Sequence, residues 1–162
     1  MEDQLAVLLK LLIAVALGAA VGYERAAYDK PAGLRTHALT ALASALFVAL
    51  ALQSVEFFST FQVADVSYGT DPLRVFQAIV VGVSFLGAGT ILKQRSDETV
   101  RHLSTAASIL ATSAIGIAVG LEQYVLAVGA AIIVVIVNFA VGLLQGKEPN
   151  WGLSTGSSSD SE

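Results

Sequence analysis

The sequence contains no cysteine and few charged residues. Asp, Glu, Lys and Arg make up 14% of its 162 residues, whereas a soluble domain has about 25%. The missing cysteines exclude disulfides, thiolate metal ligands and thiol nucleophiles. The nine Lys and Arg residues form no basic patch, so we do not expect nucleic acid to be a partner. With 55% hydrophobic residues, so short a chain cannot bury its apolar surface in water, which indicates a membrane protein.

Five apolar stretches approach the length of about 20 residues that a helix needs to cross a bilayer. The stretches are Leu5–Val21, Leu34–Leu52, Val75–Leu92, Leu103–Val119 and Tyr124–Leu144. The sequence therefore predicts an all-α polytopic membrane bundle of about five transmembrane helices. A count of four, without the second stretch, is the alternative. We expect residues 1–146 to form the transmembrane domain and the polar residues 147–162 to form a disordered cytoplasmic tail.

The positive charges are distributed unevenly between the two sides of a five-span bundle. Lys and Arg accumulate in cytoplasmic loops, and this bias sets the orientation of short-loop membrane proteins. Only Lys10 and Arg74 fall on the other side, and Lys10 lies within the first stretch. We therefore expect the N-terminus outside and the C-terminus in the cytoplasm. The seven positive residues on the cytoplasmic side are Arg25, Lys30, Arg35, Lys93, Arg95, Arg101 and Lys147.

Small residues and polar residues repeat at helical spacing within the stretches. Gly-x-x-x-Gly pairs allow close contact between membrane helices. Two such pairs predict tight helix crossings, and a third predicts a helix end. In chain order the pairs are Gly18/Gly22, Gly116/Gly120 and Gly142/Gly146.

Polar, mostly hydroxyl-bearing residues form stripes on three of the stretches, and the stripes have two interpretations. In the first, the side chains hydrogen-bond to their own helix or to a neighbour. In the second, they line a polar seam along which an ion or small solute moves. No stretch has Asp or Glu near its middle, which argues against a proton relay or a dehydrated-cation site. The stripes consist of Thr36, Thr40 and Ser44, of Gln77 and Ser84, and of Thr105, Ser108 and Thr112.

Charged and histidine residues cluster where the first two stretches meet the cytoplasm. We expect Glu24 and Arg25 to pair with each other or with Arg35 or Arg101. His37 and His102 lie near the same face. They either act together as a pH sensor or metal site, or form structural hydrogen bonds. The sequence assigns no metal ligands.

Three sequence blocks carry a resemblance to a known family. They are residues 18–25 with 32–37 (AGLRTH), Asp71 and Arg74 with residues 82–89 (GVSFLGAG), and residues 100–108 (VRHLSTAAS). On these blocks the chain resembles the MgtC/SapB family of bacterial and archaeal inner-membrane proteins over about residues 5–144. The motifs AGLRTH and FLGAG at this spacing carry most of the specificity.

The resemblance implies a multi-pass protein of the cytoplasmic membrane of a prokaryote. Family members are linked to growth under magnesium limitation, and some are regulators that bind membrane partners such as the ATP synthase. Larger members carry a soluble domain after the last helix, whereas only the tail follows here. The candidate functional residues are Glu24, Arg25, Arg35, Thr36, His37, Asp71, Arg74, Ser84, Gly87, Gly89, Arg101, Thr105 and Ser108.

Two functions follow from these observations. The first is a regulatory role in magnesium or ionic homeostasis, exerted through membrane-protein partners in the bilayer. The alternative is a transporter or channel for Mg²⁺, another cation or a small solute, built as a homodimer around the polar seam. In that alternative Asp71 attracts a cation at the outer mouth, Arg35 gates the inner mouth, and the third helix breaks near Gly87 and Gly89. The sequence shows no catalytic constellation and no cofactor motif, so we do not expect an enzyme.

Overall fold

The structure is a computed structural model that describes residues 4–60, 72–91 and 102–144. These residues form five helices, each with a segment long and apolar enough to cross a membrane. The predicted all-α bundle of five membrane helices is therefore confirmed. The predicted tail, residues 147–162, lies outside the described residues. The helices are α1 Gln4–Ala27, α2 Leu34–Thr60, α3 Pro72–Ile91, α4 Leu103–Gly120 and α5 Tyr124–Leu144.

Helices α1 and α2 extend beyond the apolar stretches that predicted them. Helix α1 continues past Val21 to Ala27, and α2 continues past Leu52 to Thr60. Apolarity marks the part of a helix that lies in hydrocarbon, whereas the helix itself ends where its backbone hydrogen bonds are interrupted. Neither extension contains a Pro, and the one glycine, Gly22, lies within α1 without interrupting it. Glu24 and Arg25 consequently lie in the last turn of α1 and not in the loop that follows it.

Helix α2 lies between α1 and α4 and packs closely against both. On the α1 side, a Cβ atom added at Gly18 would lie 2.6 Å from the backbone oxygen of His37. At Gly22, an added Cβ atom would lie 2.6 Å from Leu34 Cα. The absence of these side chains brings the backbones of α1 and α2 into direct contact, as small-residue motifs do in membranes.

The contact between α2 and α4 follows the same principle. A Cβ atom at Gly116 would collide with the backbone oxygen of Ala41, and one at Gly120 would lie 2.7 Å from Val48 Cβ. Small side chains also dominate the buried cluster at the centre of the bundle, which includes Ala41 and Ala45. The third predicted pair lies at a helix end, since α5 ends at Leu144, two residues after Gly142, and Gly146 lies outside the described residues. Gly142 also contacts the ring of Tyr28.

Two tight, hydrogen-bonded turns connect consecutive helices. Between α1 and α2, Asp29 has a φ of 51° and the Lys30 amide donates a hydrogen bond to the Arg25 carbonyl at 3.1 Å. Between α4 and α5, Glu122 has a φ of 62° and the Gln123 amide donates to the Ala118 carbonyl at 2.9 Å. The second turn produces the closely spaced antiparallel pair that its four-residue length predicts.

An ion pair connects α1 to the α4–α5 turn. Lys10 Nζ lies 2.7 Å from Glu122 Oε1, and Lys10 is 8% exposed. A buried ammonium group is costly without a counter-charge, because burial removes its hydration. The sequence placed Lys10 within the first stretch without naming its partner. Glu122 supplies that partner from a turn 112 residues further along the chain.

Helix α3 lies at the periphery of the bundle. It packs against α4 and more sparsely against α2. Most of its large side chains are exposed, with Phe85 79% exposed, whereas Ile79 is buried. A Cβ atom added at Gly82 or Gly89 would meet no atom within 4 Å. The glycines of α3 therefore contribute to no tight crossing among the described residues, with the exception of Gly87, which lies against Ala106.

Gly18→Ala tests the α1–α2 contact. We expect it to lower the free energy of unfolding in detergent by about 1–3 kcal/mol, because the added methyl group must displace backbone atoms. Gly82→Ala is the matched control, since its methyl group enters open space and leaves the stability unchanged or slightly raised. Equal stability of the two variants would contradict the packing described here.

Candidate functional site

The polar residues of α2 and α4 meet along one surface, which we call the α2–α4 polar interface and define by His37, Ser44, Ser108, Thr112 and Ser113. His37 is fully buried. Its Nδ1 lies 2.9 Å from the Gly33 carbonyl oxygen, and its Nε2 lies 2.9 Å from Ser108 Oγ. A carbonyl oxygen only accepts, so Nδ1 donates, and in the neutral imidazole Nε2 accepts from the Ser108 hydroxyl.

The remaining hydroxyl groups of the interface are also hydrogen-bonded within the protein. Ser44 Oγ and Ser113 Oγ are 2.8 Å apart across the two helices. Thr112 Oγ1 donates to the Ser108 carbonyl oxygen at 2.9 Å. These side chains are almost completely buried. At Ser44, Thr112 and Ser113, the polar residues that could have lined a path for an ion therefore form a packed and hydrogen-bonded helix interface.

The other candidate residues of the stripes have different surroundings. Thr40 Oγ1 donates to the Thr36 carbonyl oxygen at 2.8 Å, while the Thr36 side chain is exposed. Ser84 on α3 is exposed. Thr105 is buried, and its hydroxyl has no hydrogen-bond partner among residues 4–60, 72–91 and 102–144. Two further candidates, Asp71 and Arg101, lie outside the described residues.

Helix α3 is continuous through the glycines that predicted a break. Gly87 and Gly89 both lie within the helix, which runs from Pro72 to Ile91. The Thr90 hydroxyl donates to the Gly87 carbonyl oxygen at 2.7 Å. The proposed interruption at this point was therefore wrong, because a run of small residues in a membrane helix keeps its backbone hydrogen bonds when no proline removes a donor.

Glu24 and Arg25 are buried at the end of α1, on the wall of a cavity of about 310 Å³ between α1, α4 and α5. Arg25 Nη1 lies 4.0 Å from Glu24 Oε2, at the outer limit of an ion pair. Arg25 Nη2 donates a long hydrogen bond to Ser104 Oγ at 3.4 Å. We call this space the α1–α4–α5 cavity. Its lining residues include Glu24, Arg25, Tyr28, Lys30, Ser104 and Asn138.

A larger groove of about 1070 Å³ runs between α2 and α3. We call it the α2–α3 groove. Arg35 lies toward one end and Arg74 toward the other, and both side chains are exposed. Arg35 lines this groove, whereas Glu24 and Arg25 line the α1–α4–α5 cavity. Of the expected pairings, the structure therefore contains the one between Glu24 and Arg25. The walls combine large apolar side chains with small residues, and the hydroxyl-bearing residues of α2 also line them. The small residues are Ala43, Ala51, Ala78 and Gly82, and the hydroxyl-bearing ones are Thr36, Thr40, Ser44 and Ser54.

Histidine and acidic residues do not gather into a metal site in the part of the chain that the structure describes. No three His, Asp or Glu side chains there are grouped so that they could hold a metal ion. His102 precedes α4 in a left-handed conformation with a φ of 71°. His37 uses both ring nitrogens in the α2–α4 polar interface.

The sequence interpretation missed residues that the structure brings into these sites. Ser113 lies eight residues after Thr105, a spacing that places both on one face of a helix, so the pattern could have identified it. Tyr28 and Ser104 gave no such signal. Their position beside Asn138 depends on how α5 packs against the end of α1, where Gly142 meets the Tyr28 ring.

Five apolar helices joined by a buried polar interface define a multi-pass α-helical membrane protein. The MgtC family matches residues 11–147, and the chain belongs to this family. The family resemblance inferred from the sequence blocks is thereby confirmed.

Several curated proteins are similar to the chain over most of its length. An "Uncharacterized protein" of Haemophilus influenzae is 37% identical over 118 residues, covering 73% of the chain and 48% of that protein. The Escherichia coli K12 protein called "Putative magnesium transporter YhiD" is 36% identical over 134 residues, covering 80% of the chain and 58% of YhiD. "Protein MgtC" of Salmonella typhimurium is 36% identical over 131 residues, covering 81% of the chain and 50% of MgtC.

The chain therefore spans about half the length of the curated relatives that it matches. No solved structure matches it significantly.

A double-mutant cycle tests whether His37 and Ser108 interact across the α2–α4 polar interface. We expect His37→Ala and Ser108→Ala each to lower the free energy of unfolding by about 1–3 kcal/mol, because each leaves a buried partner unpaired. The coupling energy should be about 0.6–1.7 kcal/mol, the range measured for hydrogen bonds between membrane helices.

Ser84→Ala on the exposed face of α3 is the control for this cycle. It should change stability by less than about 0.5 kcal/mol. Strictly additive effects of His37→Ala and Ser108→Ala would show that the two side chains do not interact.

Proposed function

We propose that this chain is a regulatory protein of a prokaryotic cytoplasmic membrane that acts in magnesium homeostasis by binding a membrane-protein partner. Its N-terminus faces outside and its C-terminus faces the cytoplasm, and it is not an enzyme. The observation that carries the proposal is the α2–α3 groove, an unfilled apolar surface on the side of an otherwise closely packed bundle.

The link to magnesium rests on family membership and on the names of relatives. The Escherichia coli relative is named "Putative magnesium transporter YhiD", and the family is the MgtC family. YhiD and MgtC are both longer than the region that this chain matches. The shared region is the membrane bundle, so the proposal assigns the role in magnesium homeostasis to that bundle.

The hydrogen bonds of the α2–α4 polar interface favour a regulator over a conduit. An ion that crosses a protein needs oxygen atoms that replace its hydration water. The hydroxyl groups of Ser44, Ser113 and Thr112 are instead occupied by hydrogen bonds inside the protein. Opening a path along them would require separating α2 from α4, whose backbones are in contact at Gly116.

The dimensions of the α2–α3 groove fit a transmembrane helix of a partner protein. Arg35 and Ser54 both line it, and their separation along α2 corresponds to about 28 Å at the ~1.5 Å rise of a helix. This length is close to the hydrocarbon thickness of about 30 Å. Ala43, Ala78 and Gly82 leave room for the backbone of another helix to approach, which is how membrane helices associate.

Photocrosslinking tests this partner site directly. A photoreactive amino acid at Phe47, which lines the groove, should form a crosslink to a membrane protein in native membranes. Gly82→Leu should reduce that crosslink about tenfold or more, because its side chain projects into the groove. Gly129→Leu on α5 is the matched control and should leave the crosslink unchanged, since Gly129 also has open space around an added Cβ atom.

The crosslinked product distinguishes the possible occupants. A product of twice the mass of this chain would identify a homodimer in place of a partner protein. The absence of any crosslink that Gly82→Leu reduces would contradict the proposed partner site.

A transporter or channel is the second candidate, and the name of YhiD is the observation that favours it. Flux in sealed proteoliposomes, measured with reporters for magnesium, sodium and protons, separates it from the regulator. The regulator predicts liposomes as tight as protein-free ones. A saturable flux that falls on Asp71→Ala or Arg35→Ala would replace the proposal with a transport function.

A further inference from the structure

Several buried polar atoms on side chains that line the α1–α4–α5 cavity make no hydrogen bond within the described residues. Glu24 Oε1 and Oε2, Arg25 Nε, the Tyr28 hydroxyl and Asn138 Nδ2 make no hydrogen bond within the described residues. Burying such a group without a hydrogen-bond partner is unfavourable, and more so for a charged group. All four side chains line the same cavity, so small rotations bring their polar atoms onto a group bound there. This concentration of unpaired atoms indicates a ligand that the described part of the protein does not supply.

The cavity lies near the depth at which lipid headgroups meet hydrocarbon. Glu24 is about 5 Å from the end of α1 at the ~1.5 Å rise per residue of a helix. Ser104 is in the first turn of α4, which places it at the same end of the bundle. A ligand at this position is therefore within reach of a lipid in the surrounding leaflet.

One wall of the cavity is apolar and faces the surrounding lipid. Ile133, Val137 and Val141 of α5 line the cavity and are also substantially exposed on the surface of the bundle, with Ile133 62% exposed. The cavity therefore combines a charged inner end with an apolar side that adjoins the position of acyl chains. Its volume of about 310 Å³ corresponds to roughly ten water molecules at ~30 Å³ each, which is more than one or two ordered waters require.

The charges of the lining residues select among ligand classes. Glu24 is negative, whereas Arg25 and Lys30 are positive, and all three line the cavity. Arg25 and Lys30 attract a phosphate, whereas the Glu24 carboxylate attracts an ammonium group. A group that carries an ammonium and a phosphate satisfies both signs, with the ammonium near Glu24 and the phosphate near Arg25.

We propose that the α1–α4–α5 cavity binds the zwitterionic headgroup of an aminophospholipid, with an acyl chain along Ile133 and Val137. The lipid would join the ends of α1, α4 and α5 at a place where the protein's own polar groups leave hydrogen bonds unmade. This site is separate from the α2–α3 groove, so it does not depend on the proposed regulatory function.

Native mass spectrometry of the purified full chain tests the site. Delipidated protein is equilibrated with vesicles of phosphatidylethanolamine or of phosphatidylglycerol, and the bound lipid is measured. We expect phosphatidylethanolamine to be retained about tenfold more strongly. Glu24→Gln should remove most of this preference, because one charge-assisted hydrogen bond is worth about 1.5–3 kcal/mol, which corresponds to at least about tenfold.

Glu122→Gln is the charge-matched control, because Glu122 lies in the α4–α5 turn and pairs with Lys10. It should leave lipid retention unchanged. Asn138→Leu is a second variant of similar side-chain volume, and it should lower the retention of phosphatidylethanolamine severalfold while the helical circular dichroism stays unchanged.

Three outcomes would overturn the inference. Equal retention of the two lipids would remove the charge argument, and retention unaffected by both Glu24→Gln and Asn138→Leu would place the lipid elsewhere. Binding of soluble phosphoethanolamine as strong as that of the lipid would show that the site takes a free zwitterion.

Discussion

The structure depends on the contact of α2 with both α1 and α4. In lipid the hydrophobic effect does not drive helices together, so close backbone approach and interhelical hydrogen bonds must do so. Glycines on α1 and α4 provide the close approach, with Gly18 facing His37 and Gly116 facing Ala41. His37 and Ser108 add a hydrogen bond across the second contact. These interactions make α1, α2 and α4 a closely packed unit, with α3 and α5 placed around it.

The two open spaces follow from this arrangement. Helix α3 packs mainly against α4, so a groove remains between α3 and α2. At the end of α1, Glu24 and Arg25 extend the helix beyond its apolar part and are buried beside α4 and α5. The first space is apolar and suits a helix, whereas the second carries both signs of charge and suits a zwitterionic headgroup. The α2 stripe of Thr36, Thr40 and Ser44 borders the α2–α3 groove, and Ser108 borders the α1–α4–α5 cavity. Within the α2–α4 polar interface, however, the hydroxyl groups of Ser44 and Ser108 are hydrogen-bonded to Ser113 and His37.

Features that depend on a local sequence pattern were predicted correctly, whereas features that depend on which helices pack together were not. Apolar length identified all five helices, and the Gly18/Gly22 spacing predicted a tight crossing that the structure contains. Helix α3 also contains Gly82, Gly87 and Gly89, but of these only Gly87 lies against another helix. Spacing reveals that a small-residue face exists, whereas only the tertiary arrangement decides whether another helix covers it.

The sequence also did not predict which polar residues hydrogen-bond or pair with each other across helices. The repeat of Thr40 and Ser44 marked one face of α2, but nothing in it specified Ser113 as the partner of Ser44. Lys10 and Glu122 are 112 residues apart and carry no shared motif. Long-range polar pairs of this kind are set by the relative rotation of helices, which hydropathy and spacing do not determine.

The central claim is that α2 and α4 form a closed, hydrogen-bonded interface. Because the chain has no native cysteine, a Ser44→Cys/Ser113→Cys pair can be tested in membranes without background. The Oγ atoms of these serines are 2.8 Å apart, close to the separation that a disulfide bridges. The account predicts that mild oxidation joins this pair efficiently, while a Ser44→Cys/Ser84→Cys pair stays reduced. An absent disulfide, with both thiols modified by a membrane-impermeant maleimide, would instead show a water-filled space between α2 and α4.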